Sequence, residues 1–394
     1  MRKRLFDTCP MGLVAMSMIL GILIAHSILL PIPMLPVLAG MVLVAYLLKK
    51  KIYTQSVVLL VCCLLLGMCI VQYHQHTADA PKTESRFDRS QAFFLQQRAK
   101  LLQRMADNGL ENDAYAVVAA MSLGDKSALT RDIKNTYSVT GASHVLALSG
   151  LHLGIIYMVL SLFFPFRRWP VLSQIVSLLL VWAFVLLVGM PVSMVRSAIM
   201  LTLYGAFSVG RRNKMSLNAL AFTAVAMLMW NPDWLFDVGF QMSFMAVWAI
   251  LLFVPLFQDV FSARYLMEHR WIKRIWGLVT VSFSAQLGVA PLIAYYFGRF
   301  STFFMFTNFI VIPAAFVILY LSLVVMLIPS LAYLLLYIVT WVNTLLTAIA
   351  RIPGASIEGL HPSVLQVVLI YVVILCSYLL IKRIKPIVGW TPLR

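Results

Sequence analysis

Long apolar runs without charged residues alternate with short polar stretches along most of the chain. A helix needs about 20 mainly apolar residues to cross a bilayer, and most of these runs approach or exceed that length. Residues 300–350 carry no charge and are too long for one span, so we divide them at Pro329-Ser330. The predicted spans are 12–30, 33–48, 53–73, 143–164, 170–188, 191–209, 215–230, 238–257, 275–298, 301–328, 331–350 and 363–381.

Spans in lipid must be helical, because lipid offers no partners for backbone N–H and C=O groups. Two of the runs are short and one contains an arginine, so we expect ten to twelve transmembrane helices. The predicted fold class is therefore all-α, a polytopic membrane helix bundle with an outer amphipathic helical segment.

One long polar segment, residues 74–140, separates the third span from the fourth. Three amphipathic helices are predicted in it, over 91–107, 112–123 and 130–140. Asn112 and Thr130 fit as N-caps, and Gly124 closes the second of these helices. We expect the three helices to lie on the membrane surface or to cover the bundle.

Composition supports a membrane protein, since 62% of the residues are hydrophobic and only 11% are charged. A soluble globular domain has roughly 25% charged residues, so that class is excluded. Of the 31 Lys and Arg residues, nineteen fall in loops on one side of the predicted spans and two in the short loops opposite. The positive-inside rule then places both termini in the cytoplasm, and the net charge of +17 reflects topology more than nucleic-acid binding.

These patterns predict four parts of the chain. They are an N-terminal three-span membrane segment over 1–73, an extracytoplasmic amphipathic helical segment over 74–140, a transmembrane domain over 141–384, and a cytoplasmic tail over 385–394.

Two histidines and several small polar residues lie where the fourth predicted span begins, between Gly141 and Gly154. As one continuous helix, this stretch places His144 and His152 within an arc of ~80°. Ionisable groups in a span usually face a cavity or the bundle interior. Glycine and serine also allow helices to pack closely, so helix packing and a hydrophilic path both remain open.

A second polar position is Arg196, about 9 Å inside the sixth predicted span. A buried arginine needs an acceptor, and Asp233 or Asp237 could form a structural ion pair with it. Alternatively, its planar guanidinium could contact a phosphate, whose oxygens it matches. Asp237 and Gln241 are i, i+4 neighbours and share one helix face.

Other classes of chemistry have weaker signals. The sequence has no GxxxxGK[ST] loop for a nucleotide and no CxxC pair for zinc, so we expect neither a cofactor nor a metal. A serine hydrolase would use Ser149 as nucleophile and a histidine as base. Within one helix, however, Ser149 and His152 would meet only with unusual geometry, and no third member is evident.

Taken together, several ordered motifs resemble the transmembrane competence domain of ComEC-type DNA-uptake proteins. The resemblance covers roughly residues 91–380 and rests on the ordered set more than on any single motif. The motifs are Leu123-Gly124-Asp125-Lys126, Gly141 to Gly154, Pro191-x-Ser193-x-x-Arg196-Ser197, Gly210-Arg211-Arg212, and Asn231-Pro232 through Phe244.

The resemblance implies an inner-membrane channel that passes single-stranded DNA into the cytoplasm during natural transformation, without catalytic activity of its own. Its implied partners are the DNA, the lipid bilayer, a DNA-receptor protein outside and a cytoplasmic ATP-driven translocase. We expect the OB-like and metallo-β-lactamase-like domains that many family members carry to be absent from this chain.

By the same resemblance, nine positions are expected to lie at the conduction pathway: Gly141, Ser143, His144, Ser149, Gly150, His152, Arg196, Asp237 and Gln241. Two other functions remain open. The intramembrane His, Arg and Asp residues also fit a small-solute or ion transporter, and the serine hydrolase is the least favoured alternative.

Overall fold

The computed structural model describes residues 9–28, 34–47, 52–78, 86–163, 170–209 and 217–384. These residues are almost entirely helical. The helices are α1 Pro10–Ser27, α2 Met34–Leu47, α3 Ile52–Ala78, α4 Arg86–Asp107, α5 Asn112–Leu123, α6 Arg131–Val139, α7 Ser143–Leu146, α8 Gly150–Phe163, α9 Pro170–Leu187, α10 Val192–Val209, α11 Leu217–Trp230, α12 Val238–Gln258, α13 Ala263–Glu268, α14 Arg270–Phe297, α15 Phe304–Val325, α16 Ala332–Ala350 and α17 Val364–Ile384.

The predicted fold class is confirmed. Seven helices in the described parts of the chain are long and apolar enough to cross a membrane, and five shorter apolar helices coincide with the other predicted spans. The break at Pro329 is also present, as a short 3-10 helix over Pro329–Leu331. Large apolar side chains are exposed on these helices, for example Tyr333, Tyr337 and Leu365, as expected of surfaces that face lipid.

Strand structure is limited, within the described residues, to one small ribbon that the apolar pattern did not predict. Strand β1, Arg299–Ser301, pairs antiparallel with β2, Ser356–Glu358. Each strand has three residues, so the all-α class is unchanged.

The chain divides into two compact units, Met1–Ser85 with Ile199–Gln241, and Arg86–Ala198 with Met242–Arg394. In the first unit, α3 packs against α1 and α2, and α11 packs against α1. Glycines permit the closest approach, since a Cβ on Gly21 would overlap the Leu64 carbonyl and one on Gly67 would overlap the Met18 carbonyl. The division into four parts predicted above stays a prediction.

The second unit is built around α5, which packs against α15 and α16. Residues 116–121 and Leu123 are nearly all fully buried, around the whole circumference of the helix. This differs from the amphipathic helix expected here. The sequence of α5 is rich in alanine and valine, and such small side chains let neighbouring helices enclose it on every side.

Two of the three predicted caps in this segment are present. The Thr130 hydroxyl accepts a hydrogen bond from the Ile133 N–H (3.3 Å), and Gly124 ends α5 in the left-handed conformation. Asn112 is not a cap, because Glu111 occupies the N-cap position and Asn112 is already the first helical residue. The helix therefore begins without a side-chain cap.

The fourth predicted span is not one helix. It is divided into α7 and α8, and Ala147 between them has an extended backbone. The ~80° arc proposed for His144 and His152 assumed an unbroken helix and is therefore wrong. Gly210-Arg211-Arg212, the tail 385–394 and many of the basic loop residues used for orientation lie outside the described residues.

Candidate functional site

Ser149 lies immediately before α8, where the chain re-enters helical conformation. Its carbonyl accepts the first helical hydrogen bond, from the Leu153 N–H (3.2 Å), and its own N–H donates to His152 Nδ1 (3.3 Å). The Ser149 Oγ lies 3.1 Å from the same nitrogen. A side chain three residues into the helix thus bonds back to the cap residue, as in a capping box, and fixes the start of α8.

This arrangement corrects one expectation. Ser149 and His152 do meet, because Ser149 is a cap residue with non-helical geometry and its side chain can turn towards the first helical turn. Since Nδ1 accepts the backbone N–H, the Ser149 hydroxyl is the donor in the second contact. The His152 ring is fully buried.

A serine on another helix holds the break between α7 and α8. The Ser193 Oγ, in the first turn of α10, donates to the Leu148 carbonyl at 2.6 Å. This carbonyl lies in the non-helical stretch between the two helices. The bond therefore links the two sequence motifs, which lie 45 residues apart.

Arg196 lies one turn further along α10 and is only 7% exposed. Its Nε donates to the Ser243 Oγ of α12 at 2.6 Å, and its Nη2 donates to the Ser197 Oγ at 3.2 Å. Its guanidinium carbon also lies 5.9 Å from the centre of the Phe244 ring. Hydroxyl groups and an aromatic face thus surround the guanidinium inside an apolar helix bundle.

Gly150 allows the start of α8 to approach this guanidinium. A Cβ at this position would lie 2.6 Å from the Ser197 Oγ and 3.3 Å from the Arg196 Nη2. The residues gathered here come from three motifs on α8, α10 and α12. We call them the Arg196 cluster: Ser149, Gly150, His152, Ser193, Arg196, Ser197 and Ser243.

Four of the nine predicted pathway residues belong to this cluster, namely Ser149, Gly150, His152 and Arg196. The serines Ser193, Ser197 and Ser243 were not predicted as site residues, although they lie in the motifs that carry the resemblance. The sequence did contain a signal for two of them. Ser193 and Ser197 have i, i+4 spacing and flank Arg196, so one helix carries small hydroxyl groups close to the charge.

Three other predicted residues lie at the start of the same segment, before the break. Gly141 has φ +79°, and a Cβ there would lie 3.0 Å from the Cβ atoms of Ser301 and Phe304. Its carbonyl lies 3.1 Å from the His144 Nδ1. The side chains of Ser143 and His144 are exposed. Gly141 thus has a backbone role, since only glycine adopts that φ without strain.

The remaining two predicted residues, Asp237 and Gln241, belong to the first unit and help to start α12. The Asp237 Oδ1 accepts the Phe240 N–H at 2.8 Å, and the Gln241 Nε2 donates to the Leu235 carbonyl at 3.0 Å. Both bonds satisfy polar groups near the helix N-terminus, so both residues have a structural role there.

The first unit also contains a partly exposed group of two histidines and one carboxylate. The Nε2 atoms of His26 and His74 each lie 3.9 Å from an oxygen of Asp233. Exposed pairs at this distance contribute little to stability. No three His, Cys, Asp or Glu residues in the described ranges are placed to hold a metal ion.

Comparisons with known proteins agree with the motifs. The chain is 29% identical over 286 residues to ComE operon protein 3 of Bacillus subtilis, which covers 70% of this chain and 35% of the relative. It is 25% identical over 228 residues to Recombination protein 2 of Haemophilus influenzae, covering 55% of this chain and 29% of that protein. An uncharacterized protein of Aquifex aeolicus is 30% identical over 195 residues.

The chain therefore spans about a third of the length of the two named relatives. No solved structure matches it significantly. The family model described as Competence protein matches residues 121–384, which include every residue of the Arg196 cluster. With seven long apolar helices in the described residues, the chain is a multi-pass membrane protein and belongs to the competence protein family, of the ComEC type.

Proposed function

We propose that this chain forms part of a channel that carries single-stranded DNA into the cytoplasm during natural transformation, with the Arg196 cluster on the path of the strand. Membership of the competence family supports the role in DNA uptake. The buried guanidinium of Arg196 is the observation that carries the proposed contact with the strand.

The chemistry of the cluster fits a phosphodiester. A guanidinium presents several N–H donors in one plane and matches phosphate oxygens in pairs. Its neighbours Ser197 and Ser243 are neutral hydroxyls, which can rotate to donate to a phosphate oxygen or to accept from the guanidinium. Burial in an apolar bundle strengthens the attraction between this cation and an entering anion, because little solvent screens it.

The cellular setting is part of the same proposal. The protein would lie in the cell inner membrane with both termini in the cytoplasm, and 74–140 would face outwards. The sequence contains no nucleotide-binding P-loop, so a cytoplasmic ATP-driven translocase would pull the strand and a DNA-receptor protein would deliver it outside. Gly141, Ser143, His144, Asp237 and Gln241 stay predicted pathway residues.

The test replaces Arg196 in the chromosome of the source organism. Arg196→Ala should abolish transformation by free DNA and leave growth unchanged, whereas Arg196→Lys keeps the charge but loses the planar fork and should transform poorly. The matched control is Arg264→Ala, because the Arg264 side chain is 89% exposed and pairs with Glu268, its neighbour on the same helix. Immunoblots of the membrane fraction confirm equal amounts of each variant.

Normal transformation by Arg196→Ala, at normal protein level, would refute the proposed contact. The same substitutions, made in the purified protein, also address the transporter alternative. The native chain is reconstituted in proteoliposomes, and uptake of a small solute is measured in response to an ion gradient. If the native chain shows this uptake, and Arg196→Ala loses it without any transformation defect, the transporter is the better assignment.

A second candidate function is supported by the contact between the Ser149 Oγ and the His152 Nδ1, at 3.1 Å. A histidine that accepts a serine proton is the core of a serine hydrolase. Such an enzyme should react covalently with a fluorophosphonate probe, and Ser149→Ala should remove the label. A native chain that takes up no probe in membranes excludes this function and leaves the contact as a helix cap.

A further inference from the structure

The segment from Gly141 to Ile156 runs alongside α15 in the second unit. At one end, Gly141 packs against Ser301, the last residue of β1, and against Phe304, the first residue of α15. Further along, α7 contacts the same helix, and Ile155 and Ile156 pack against Leu319. We call the interface between residues 141–156 and α15 the α15 seam.

Buried polar atoms without partners are concentrated along this seam. They are the Ser301 Oγ, Thr307 Oγ1, Asn308 Oδ1 and His152 Nε2, which have no hydrogen-bond partner among the residues that the structure describes. Each of these residues is at most 9% exposed. They come from both sides of the seam, three from the α15 side and one from α8.

The geometry of α15 directs Asn308 towards the seam. Asn308 precedes Leu319 by eleven residues, which at 3.6 residues per turn places the two side chains about 20° apart around the helix axis. Leu319 packs against α8, so Asn308 lies on the same face, roughly 16 Å closer to the start of α15.

Such atoms are costly in an apolar interior. Each buried donor or acceptor without a partner loses its hydration without replacement, and lipid supplies none. Buried polar atoms in folded proteins are nearly always paired with protein groups or with ordered water. Four such atoms in one seam are therefore a set of partners for water.

We propose that the α15 seam holds a file of water molecules bound by Ser301, Thr307, Asn308 and His152, and forms a hydrated route beside the Arg196 cluster. The water would accept from His152 Nε2, whose proton is placed there by the contacts at Nδ1, and donate to the Asn308 carbonyl oxygen. The inference concerns hydration of the second unit and does not depend on DNA being the substrate.

Cysteine accessibility tests the hydration directly. In the full chain, Ser301→Cys and Asn308→Cys should react with a small cationic methanethiosulfonate in membrane vesicles, because only the hydrated thiolate reacts. Val339→Cys is the control, since Val339 is fully buried in the apolar core of the same unit and should stay unmodified. The background variant has the five native cysteines replaced by alanine: Cys9, Cys62, Cys63, Cys69 and Cys376.

An exposed position, Ser127→Cys, shows that the reagent is active. Modification of Ser301→Cys and Asn308→Cys, with Val339→Cys unmodified, supports the water file. If Asn308→Cys stays unmodified while Ser127→Cys reacts, the seam is dry at that position and the proposal is overturned. Neither outcome depends on transformation, so a failed DNA-channel proposal would leave this result unaffected.

A thermodynamic measurement covers the case in which a cysteine variant does not fold. Thr307→Val removes the hydroxyl and keeps the shape of the side chain. If the hydroxyl binds water, the variant should melt at a lower temperature than the native chain. Thr223→Val is the control for the loss of a paired hydroxyl and should also melt at a lower temperature, because the buried Thr223 hydroxyl donates to the Ala219 carbonyl. If the Thr307 hydroxyl is dry and unpaired, its removal raises the melting temperature and the proposal is wrong.

Discussion

Gly150 is the residue at which the smallest chemical change should have a large structural effect. An added Cβ would lie 2.6 Å from the Ser197 Oγ, which is closer than real side chains approach such an atom. The serine hydroxyl would have to move. It accepts from the Arg196 Nη2 at 3.2 Å and donates to the Ser193 carbonyl at 2.9 Å, so Gly150→Ala disturbs both bonds.

The magnitude follows from these bonds. A hydrogen bond to a charged group contributes about 1.5–3 kcal/mol and a neutral one about 0.5–1.5 kcal/mol, and the hydroxyl retains part of each after it moves. Replacing glycine by alanine in a helix also restricts the unfolded chain and stabilises the folded state by about 0.4–1 kcal/mol. We therefore expect Gly150→Ala to lower the free energy of unfolding by about 1–3 kcal/mol, the range typical of overpacked cores.

The assay is unfolding of the purified protein in detergent, followed by tryptophan fluorescence. The matched control is Gly154→Ala on the same helix, because a Cβ there meets nothing within 4 Å and should not destabilise the protein. Ser197→Ala removes the atom that Gly150→Ala would overlap. In the double variant, the penalty of Gly150→Ala should therefore shrink, which a double-mutant cycle measures.

Equal stability of Gly150→Ala and Gly154→Ala would refute the close approach of α8 to Arg196. An additive double-mutant cycle would show that Ser197 is not the obstructing group. Either result would remove the geometric basis for placing Gly150 in the Arg196 cluster.

Two further substitutions test the packing of the second unit. Gly288→Ala should destabilise the protein by about 1–3 kcal/mol, because its Cβ would overlap the Met245 carbonyl and force α12 and α14 apart. The control is Gly277→Ala on the same helix, which should be tolerated because a Cβ there meets no atom within 4 Å. Burial raises the pKa of Tyr137, so its hydroxyl stays protonated and donates to Asn343 Oδ1 at 2.8 Å. Tyr137→Phe should cost about 1–2 kcal/mol in the same unfolding assay, and an unchanged stability would show that this bond contributes nothing.

The boundaries of the helices were largely predictable from local patterns. Apolar runs located the spans because lipid accepts only long apolar helices, and Thr130 and Gly124 marked helix ends by their own hydrogen bonding and backbone freedom. Helix α5 shows the limit of this reasoning. Its neighbours bury it on every side, and the number of neighbours cannot be read from one helix.

The candidate site was predictable in part. Ser149, Gly150, His152 and Arg196 were chosen because ionisable and small polar residues are rare in spans. Their grouping with Ser243 could not be predicted from the sequence, because it depends on how closely α8, α10 and α12 approach one another. Asp237 and Gln241 carried the same sequence signal, but the structure shows them bonded near the N-terminus of α12.

By itself, the sequence determined that the chain is a multi-span membrane protein with a competence-type motif order, because hydrophobic length and local capping are properties of contiguous residues. Only the tertiary structure decided that the fourth span breaks before Ser149 and that the α15 seam contains polar atoms without partners among the described residues. The physical reason is that these features depend on distant residues. The Leu148 carbonyl accepts from Ser193, 45 residues away, and polar atoms lack partners only once other helices have enclosed them.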